Sequence, residues 1–229
     1  MSTTRKLVIA IDGPAGAGKS TIAARLAQAL GYLNLESGAM YRALALKALQ
    51  RGASLDDHAA LAALARASRI ELIPTSEGNQ VLLDGEDVSA RIRQQDVTDA
   101  ASRVSVHPAV REWMVARQRE LGAGGGVIME GRDIGTVVFP DADLKIFLDA
   151  APHVRTERRA AQHQQKTGLA AAREAIAAEL RERDRRDTTR SHSPLVPAED
   201  AVIIDSSALD IEDVIARIRA LIEQKLPPS

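Results

Sequence analysis

The chain has no cysteine, which excludes disulfides, thiolate metal sites and a cysteine nucleophile. Aromatic residues are 2% of its 229 positions, so stacking platforms of the kind that hold single-stranded nucleic acid have little material here. Charge of one sign is also missing: 30 Lys and Arg stand against 31 Asp and Glu, a formal net of -1. No general attraction to nucleic acid follows from that balance. No apolar run approaches the roughly 20 residues needed to cross a bilayer. Met1 to Lys6 leads straight into an apolar strand, so no leader peptide is expected and a soluble, cytoplasmic protein is. Only two asparagines occur, Asn34 and Asn79, and the N-K-x-D signature by which GTP switches read guanine is absent.

What is present is organised around Leu7 to Thr21, LVIAIDGPAGAGKST. Five apolar residues, Leu7 to Ile11, have the texture of a buried strand. Gly13-Pro14-Ala15-Gly16-Ala17-Gly18-Lys19-Ser20 then satisfies the phosphate-loop pattern G-x-x-x-x-G-K-[ST], and Ile22 to Leu30 is apolar at helical spacing up to Gly31. Such a loop turns main-chain N–H groups toward phosphate oxygens, and the following helix adds the positive end of its dipole. Lys19 is expected to reach the β and γ phosphates, and the Ser20 hydroxyl to suit Mg²⁺. The pattern predicts a site for a nucleoside triphosphate over Gly13 to Thr21.

Further along, a helix is expected from Gly38 to about Gln50 with Ser37 as its cap, and another over Leu55 to Ala67 capped by Ser54. Arg69 to Ile73 and Gln80 to Leu83 read as strands, with Asp84-Gly85 as a hairpin turn before Glu86 to Val88. Residues 69 to 90 thus form an expected antiparallel insertion, which either braces a pocket or shields a sheet edge. Helices are expected over Ser89 to Arg103, Pro108 to Leu121, Pro152 to Lys166, Ala170 to Asp187 and Ile211 to Lys225. Core strands are expected at Val127 to Glu130, Asp143 to Asp149 and Ala201 to Asp205. Strands alternating with helices predict an α/β fold, a parallel sheet covered on both faces. Ligands of such sheets sit beyond the carboxyl ends of the strands, where Asp12, Glu130, Asp149 and Asp205 fall. Asp205 reads as a turn former. Asp149 is open between that role and organising Mg²⁺.

Of the 30 basic residues, 24 are Arg, whose planar fork suits phosphate. Arg183, Arg186, Asp187 and Arg190 fall at i, i+3, i+4 and i+7, on one face if the helix runs that far. Arg155, Arg158 and Arg159 repeat the i, i+3, i+4 spacing. Each group reads either as a solvated, ion-paired helix face or as a second anion site, the latter group as a flap over phosphates. Arg42 and Arg132 each stand near an expected strand or helix end facing the site, where a single Arg also reads as an ordinary surface residue.

Taken in order, the phosphate loop, Ser37-Gly-Ala-Met-Tyr41-Arg42, Gly131-Arg-Asp-Ile-Gly-Thr-Val-Val-Phe-Pro140, Glu182-Arg-Asp-Arg-Arg-Asp187 and Pro194-Leu-Val-Pro197 resemble the bacterial cytidylate kinase family over nearly the whole chain. The resemblance implies a P-loop nucleoside-monophosphate-kinase fold: one domain over 1–229, a nucleoside-monophosphate-binding insertion at about 69–105 and a helical lid at about 152–168. It implies transfer of a phosphoryl group from ATP to CMP or dCMP with Mg²⁺, by a monomer with no nucleic-acid or membrane partner. Cytosine recognition is carried onto Ser102, Arg111 and Asp133. Contacts to the monophosphate and sugar are carried onto Ser37, Arg42, Arg132, Arg183, Asp187 and Arg190. Arg158 and Arg159 become the lid arginines acting with Lys19 on the transferring group. Glu36 and Glu130 depart from the aspartates expected in many members.

The mechanism expected is direct in-line transfer without a covalent enzyme intermediate, because the acceptor oxygen is already anionic and needs no general base. A P-loop kinase for another nucleotide or a sugar-like acid is the alternative enzyme, and a nucleotide-gated binding module the alternative class.

Overall fold

The computed structural model of the chain describes residues 6–75, 78–168 and 172–226. Strand β1 (Val8–Asp12) enters the glycine loop, and α1 (Lys19–Leu30) leaves it. Next come β2 (Leu33–Glu36), α2 (Ser37–Gln50) and α3 (His58–Arg66), followed by the short strands β3 (Ile70–Thr75), β4 (Gly78–Leu83) and β5 (Glu86–Asp87). Helices α4 (Gln95–Val104) and α5 (Pro108–Gly122) return the chain to β6 (Val127–Gly131) and β7 (Leu144–Asp149). Helices α6 (Pro152–Thr167) and α7 (Arg173–Thr189), strand β8 (Val202–Asp205) and α8 (Ile211–Glu223) complete the order.

The core sheet has the order β2-β6-β1-β7-β8 and every pair is parallel, so the strand that feeds the glycine loop lies at its centre. Side chains of a strand alternate between faces. Ile9, Ile11 and Ile128 accordingly pack with α1 and α8, while Ala10, Val127 and Met129 pack on the other face with α2, α4 and α5. Ile9 and Ile11 are fully buried, each stabilising the fold by roughly 1.5–3 kcal/mol relative to exposure.

The antiparallel insertion is present as β3-β4-β5. Asp84 and Gly85 both take positive φ, 53° and 91°, the conformation of a two-residue hairpin turn. Ile70, Leu72, Val81 and Leu83 join the core cluster beneath α2, and the small sheet packs against α2 and the edge strand β2. None of its strand residues lines the large cavity described below; it meets that region through α2, whose Ser37, Tyr41 and Arg42 do.

Several local expectations are corrected. Ser37 is not a cap: α2 starts on it, and its hydroxyl donates to the Glu130 carbonyl at 2.8 Å. Helix α3 starts later than Leu55, where the Asp57 carboxylate accepts the Ala60 N–H at 3.0 Å; Ser54 only closes a turn to Asp56. The expected helix from Ser89 is broken into a 3₁₀ turn, Arg91–Arg93, and α4. Residues Ile134–Val138 form a π-helical turn that periodicity did not indicate. The expected start of a helix at Ala170 lies outside the described residues.

Candidate functional site

The glycine loop takes its shape from backbone that side chains would block. Gly13 has φ 147°, and a Cβ on it would lie 2.0 Å from the Leu148 carbonyl oxygen. Gly18, at φ 97°, is the left-handed residue before α1. Ala15 to Thr21 line a cavity of about 790 Å³ at the carboxyl ends of the core strands. Gly13 and Pro14 do not line it. Gly13 packs against β7, and the Pro14 carbonyl accepts from Lys19 Nζ at 2.8 Å. Burial, reinforced by the neighbouring Arg132 charge and opposed by Glu130, brings the Lys19 ammonium down to about 7.

Ser20 Oγ donates to Glu130 Oε1 at 3.1 Å. Burial raises the Glu130 carboxyl against the attraction of Lys19. Glu36 pairs with Arg42; burial pushes its carboxyl up, and Arg42 pulls it further down, to a net below the ordinary range. Both glutamates line the cavity. In the sequence Glu36 stands out only as a departure from aspartate, and Glu130 as that and as one of four strand-end acids. Their position side by side at the ends of β2 and β6 is what brings them in, with Glu130 against Ser20 and Glu36 against Arg42.

The same cavity is lined by Ser37, Arg42, Ser102, Arg111, Arg132, Asp133, Arg183, Asp187 and Arg190, which come from α2, α4, α5, α7 and the residues just after β6 and α7. Arg132 Nε donates to Asp187 Oδ2 at 2.8 Å, and Arg190 Nη1 stands 3.8 Å from Asp187 Oδ1. Burial pushes the Asp187 carboxyl up, but Arg132, Arg183 and Arg190 outweigh it and hold it below its ordinary range. Arg183 donates no hydrogen bond among the described residues. Burial and the adjacent Arg132 bring its guanidinium down to about 10. Arg111 forms a buried ion pair with Asp133 and also lies 5.6 Å over the Tyr41 ring. Buried donors remain without acceptors at Arg42 Nε, Arg111 Nε, Arg190 Nη2 and the Tyr41 hydroxyl.

Two arginines of the expected stripes face elsewhere. Arg186 does not line the cavity. It bonds Glu182 at 3.1 Å and holds the Ser102 hydroxyl at 3.0 Å. Arg155 is buried, donating to the carbonyls of Ala150 and Ala15 and to Asp184 at 2.6 Å, so it braces α6 rather than serving a flap. Helix α7 ends at Thr189, and Arg190 reaches the cavity from the extended residue beyond it. Arg158 and Arg159 line the cavity from α6. Arg158 donates to the Ser206 carbonyl at 2.7 Å and its hydroxyl at 3.0 Å, beside the glycine loop. Arg159 reaches across to Gln95 at 3.5 Å. Asp149 is absent from the lining and accepts the Ala150 N–H at 2.8 Å; Asp205 likewise closes a turn to Ser207.

A glycine loop between a central parallel strand and a helix, sharing one cavity with an arginine-lined pocket, defines a P-loop kinase. The family profile described as cytidylate kinase matches residues 9–224, and the chain belongs to that family. It is 52% identical over 213 residues to the cytidylate kinase of Pelotomaculum thermopropionicum, covering 93% of this chain and 94% of that protein. It is 50% identical to that of Actinobacillus succinogenes, over 96% and 99%. With the Pasteurella multocida enzyme the figures are 48%, over 97% and 98%.

Proposed function

We infer that the protein transfers the γ-phosphoryl group of ATP to CMP or dCMP, giving ADP and CDP or dCDP. The observation that carries this reading is the convergence of Arg42, Arg132, Arg183 and Arg190 on the cavity that also holds the glycine loop, with Arg183 donating no hydrogen bond among the described residues. Guanidinium groups gathered this closely repel one another, and an anionic, hydrogen-bond-accepting ligand between them reverses that sign.

In this reading Ala15 to Thr21 cradle the ATP phosphates, with Gly13 and Pro14 shaping the loop behind them, and Lys19 steadies the oxygens on which charge develops. Arg42, Arg132, Arg183 and Arg190 receive the acceptor monophosphate, with Asp187 fixing Arg132 and meeting the sugar. Ser37 lies beside them. Ser102, Arg111 and Asp133 read cytosine, whose edge presents an amino donor beside ring and carbonyl acceptors. Transfer is in line, because the CMP phosphate oxygen is already a nucleophile. Arg158 and Arg159, on the lid at about 152–168, close over the transferring group and exclude water. The segment at about 69–105 delivers α4 with Ser102 to the acceptor, within one kinase domain spanning 1–229.

Magnesium fits the donor set, since the Ser20 hydroxyl and the Glu130 carboxylate are hard oxygens 3.1 Å apart. Among the described residues no cluster of three or more His, Asp or Glu would hold a metal unaided, which accords with an ion held largely by phosphates and water. When bound, Mg²⁺ neutralises charge on the β and γ phosphates. A monomer acting in the cytoplasm without nucleic-acid or membrane partners completes the reading; no described helix is long and apolar enough to cross a membrane.

Steady-state kinetics of two variants test the assignment. Arg183→Ala is expected to raise the KM for CMP with little change in that for ATP, and Lys19→Ala to abolish turnover. Kinetics near those of the unmutated protein in both would refute it.

A further inference from the structure

Asp12 is the last residue of β1 and the one before Gly13, and its carboxylate accepts two main-chain amides from a different segment. Oδ1 accepts the Ile134 N–H at 2.9 Å and Oδ2 accepts the Gly135 N–H at 2.7 Å. Those two amides begin the π-helical turn that directly follows Arg132 and Asp133. Asp12 is also paired in register with Gly131 on β6. The space is closed: Asp12 is 5% exposed, and a Cβ on Gly135 would stand 3.4 Å from Oδ2 and 3.2 Å from the Lys145 side chain. An isolated acid there costs desolvation energy that two amide bonds offset only in part.

We propose that Asp12 is a positioning residue that clips the turn after Asp133 to the central strand, so that Arg132 and Asp133 face the acceptor nucleotide in fixed register with the glycine loop. The inference rests on the functional reading above and deepens it. Asp12 touches neither nucleotide; it acts through the two amides. Burial drives its carboxyl up to about 6, against the two amide bonds and with Asp133 and Lys19 the charges facing it.

The test is Asp12→Asn, which keeps the shape but replaces one acceptor oxygen by an NH₂ that repels the amide facing it. The expected result is a fall of about tenfold to a hundredfold in kcat/KM for CMP. The Kd of a non-hydrolysable ATP analogue, measured without CMP, is expected to stay within about threefold. A support merely for the fold would move both, and parallel losses overturn the proposal. So does an unchanged kcat/KM for CMP in a protein that phosphorylates CMP normally before mutation. Failure of the unmutated protein to phosphorylate CMP or dCMP overturns the functional reading and the clip with it. Should the variant not fold, amide hydrogen exchange in the unmutated protein decides: Ile134 and Gly135 are expected to exchange as slowly as the β6 amides, and fast exchange at both removes the clip.

Discussion

Arg132 and Asp187 meet at 2.8 Å, joining the residue after β6 to the last turn of α7. One edge of the Arg132 fork is thereby fixed, and Asp187 also draws Arg190 to 3.8 Å, so one carboxylate organises two cations around a third, Arg183. A charge-assisted hydrogen bond of this kind is worth about 1.5–3 kcal/mol. Asp187→Ala is therefore expected to raise the KM for CMP by roughly tenfold to a hundredfold, with the KM for ATP little changed. Initial rates at saturating ATP check this; an equal rise in both constants would contradict it.

Lys19 gives a prediction in protons. Its amine titrates near 7 in the free protein against 10.5 ordinarily, because burial and Arg132 disfavour the ammonium. Between those values the unfolded chain binds more protons, so this group makes the free protein more stable as pH rises from 7 toward 10. Polyphosphate binding restores the ammonium. Binding of a non-hydrolysable MgATP analogue at pH 8 is thus expected to take up part of a proton, and at pH 6 almost none from this group. Calorimetry in two buffers of different ionisation enthalpy measures it, and proton release at pH 8 would run against the account.

The Arg111–Asp133 pair is buried at both ends, with side chains 4% and 7% exposed. Removing one partner strands the other charge, at about 3–5 kcal/mol. Asp133→Ala is expected to lower stability by that order, about 6–20 °C in Tm for a domain of this size. It should also abolish discrimination of CMP from UMP by the residual activity. A variant of unchanged Tm would show the pair to be solvated.

Arg155 predicts a stability effect separable from chemistry. Its guanidinium ties Ala15 of the glycine loop, Ala150 and Asp184 of α7. Asp184 is 22% exposed, so the charge left in Arg155→Ala is partly hydrated and the cost smaller, about 2 kcal/mol. Urea unfolding of Arg155→Ala, Asp184→Ala and the double variant is expected to show the second substitution costing less than the first. Additive losses would mean the two do not interact.

The sheet and the glycine loop were legible because they rest on local signals. Ile9 and Ile11 alternate with Ala10, and Gly-Lys-Ser closes a loop whose geometry few sequences satisfy. The hairpin at Asp84-Gly85 is likewise written in two residues that accept positive φ. The Ile134–Val138 turn was not legible, since Ile-Gly-Thr-Val-Val has no helical period. What shapes it is a carboxylate 122 residues away in sequence, at Asp12. The arginine stripes were visible as spacing, but spacing does not say which fork finds a carbonyl. Arg155 shares with Arg158 a spacing that fits a solvated face or a flap, and it is instead buried and braces α6, while Arg186 holds Ser102 from outside the cavity. Glu130 shows the same limit, because its contact with Ser20 exists only once β6 lies beside β1.

The central claim is that two anionic nucleotides share one cavity and that the second is a cytidine monophosphate. It is tested most directly by ADP release from MgATP with a panel of acceptors: CMP, dCMP, UMP, AMP, GMP, shikimate and gluconate. The account predicts ADP release with CMP and dCMP, matched one for one by CDP or dCDP, and far slower release with the purine nucleotides and the acids. Faster turnover of a purine nucleotide or a sugar-like acid, or tight ATP binding with no acceptor yielding ADP, would contradict it.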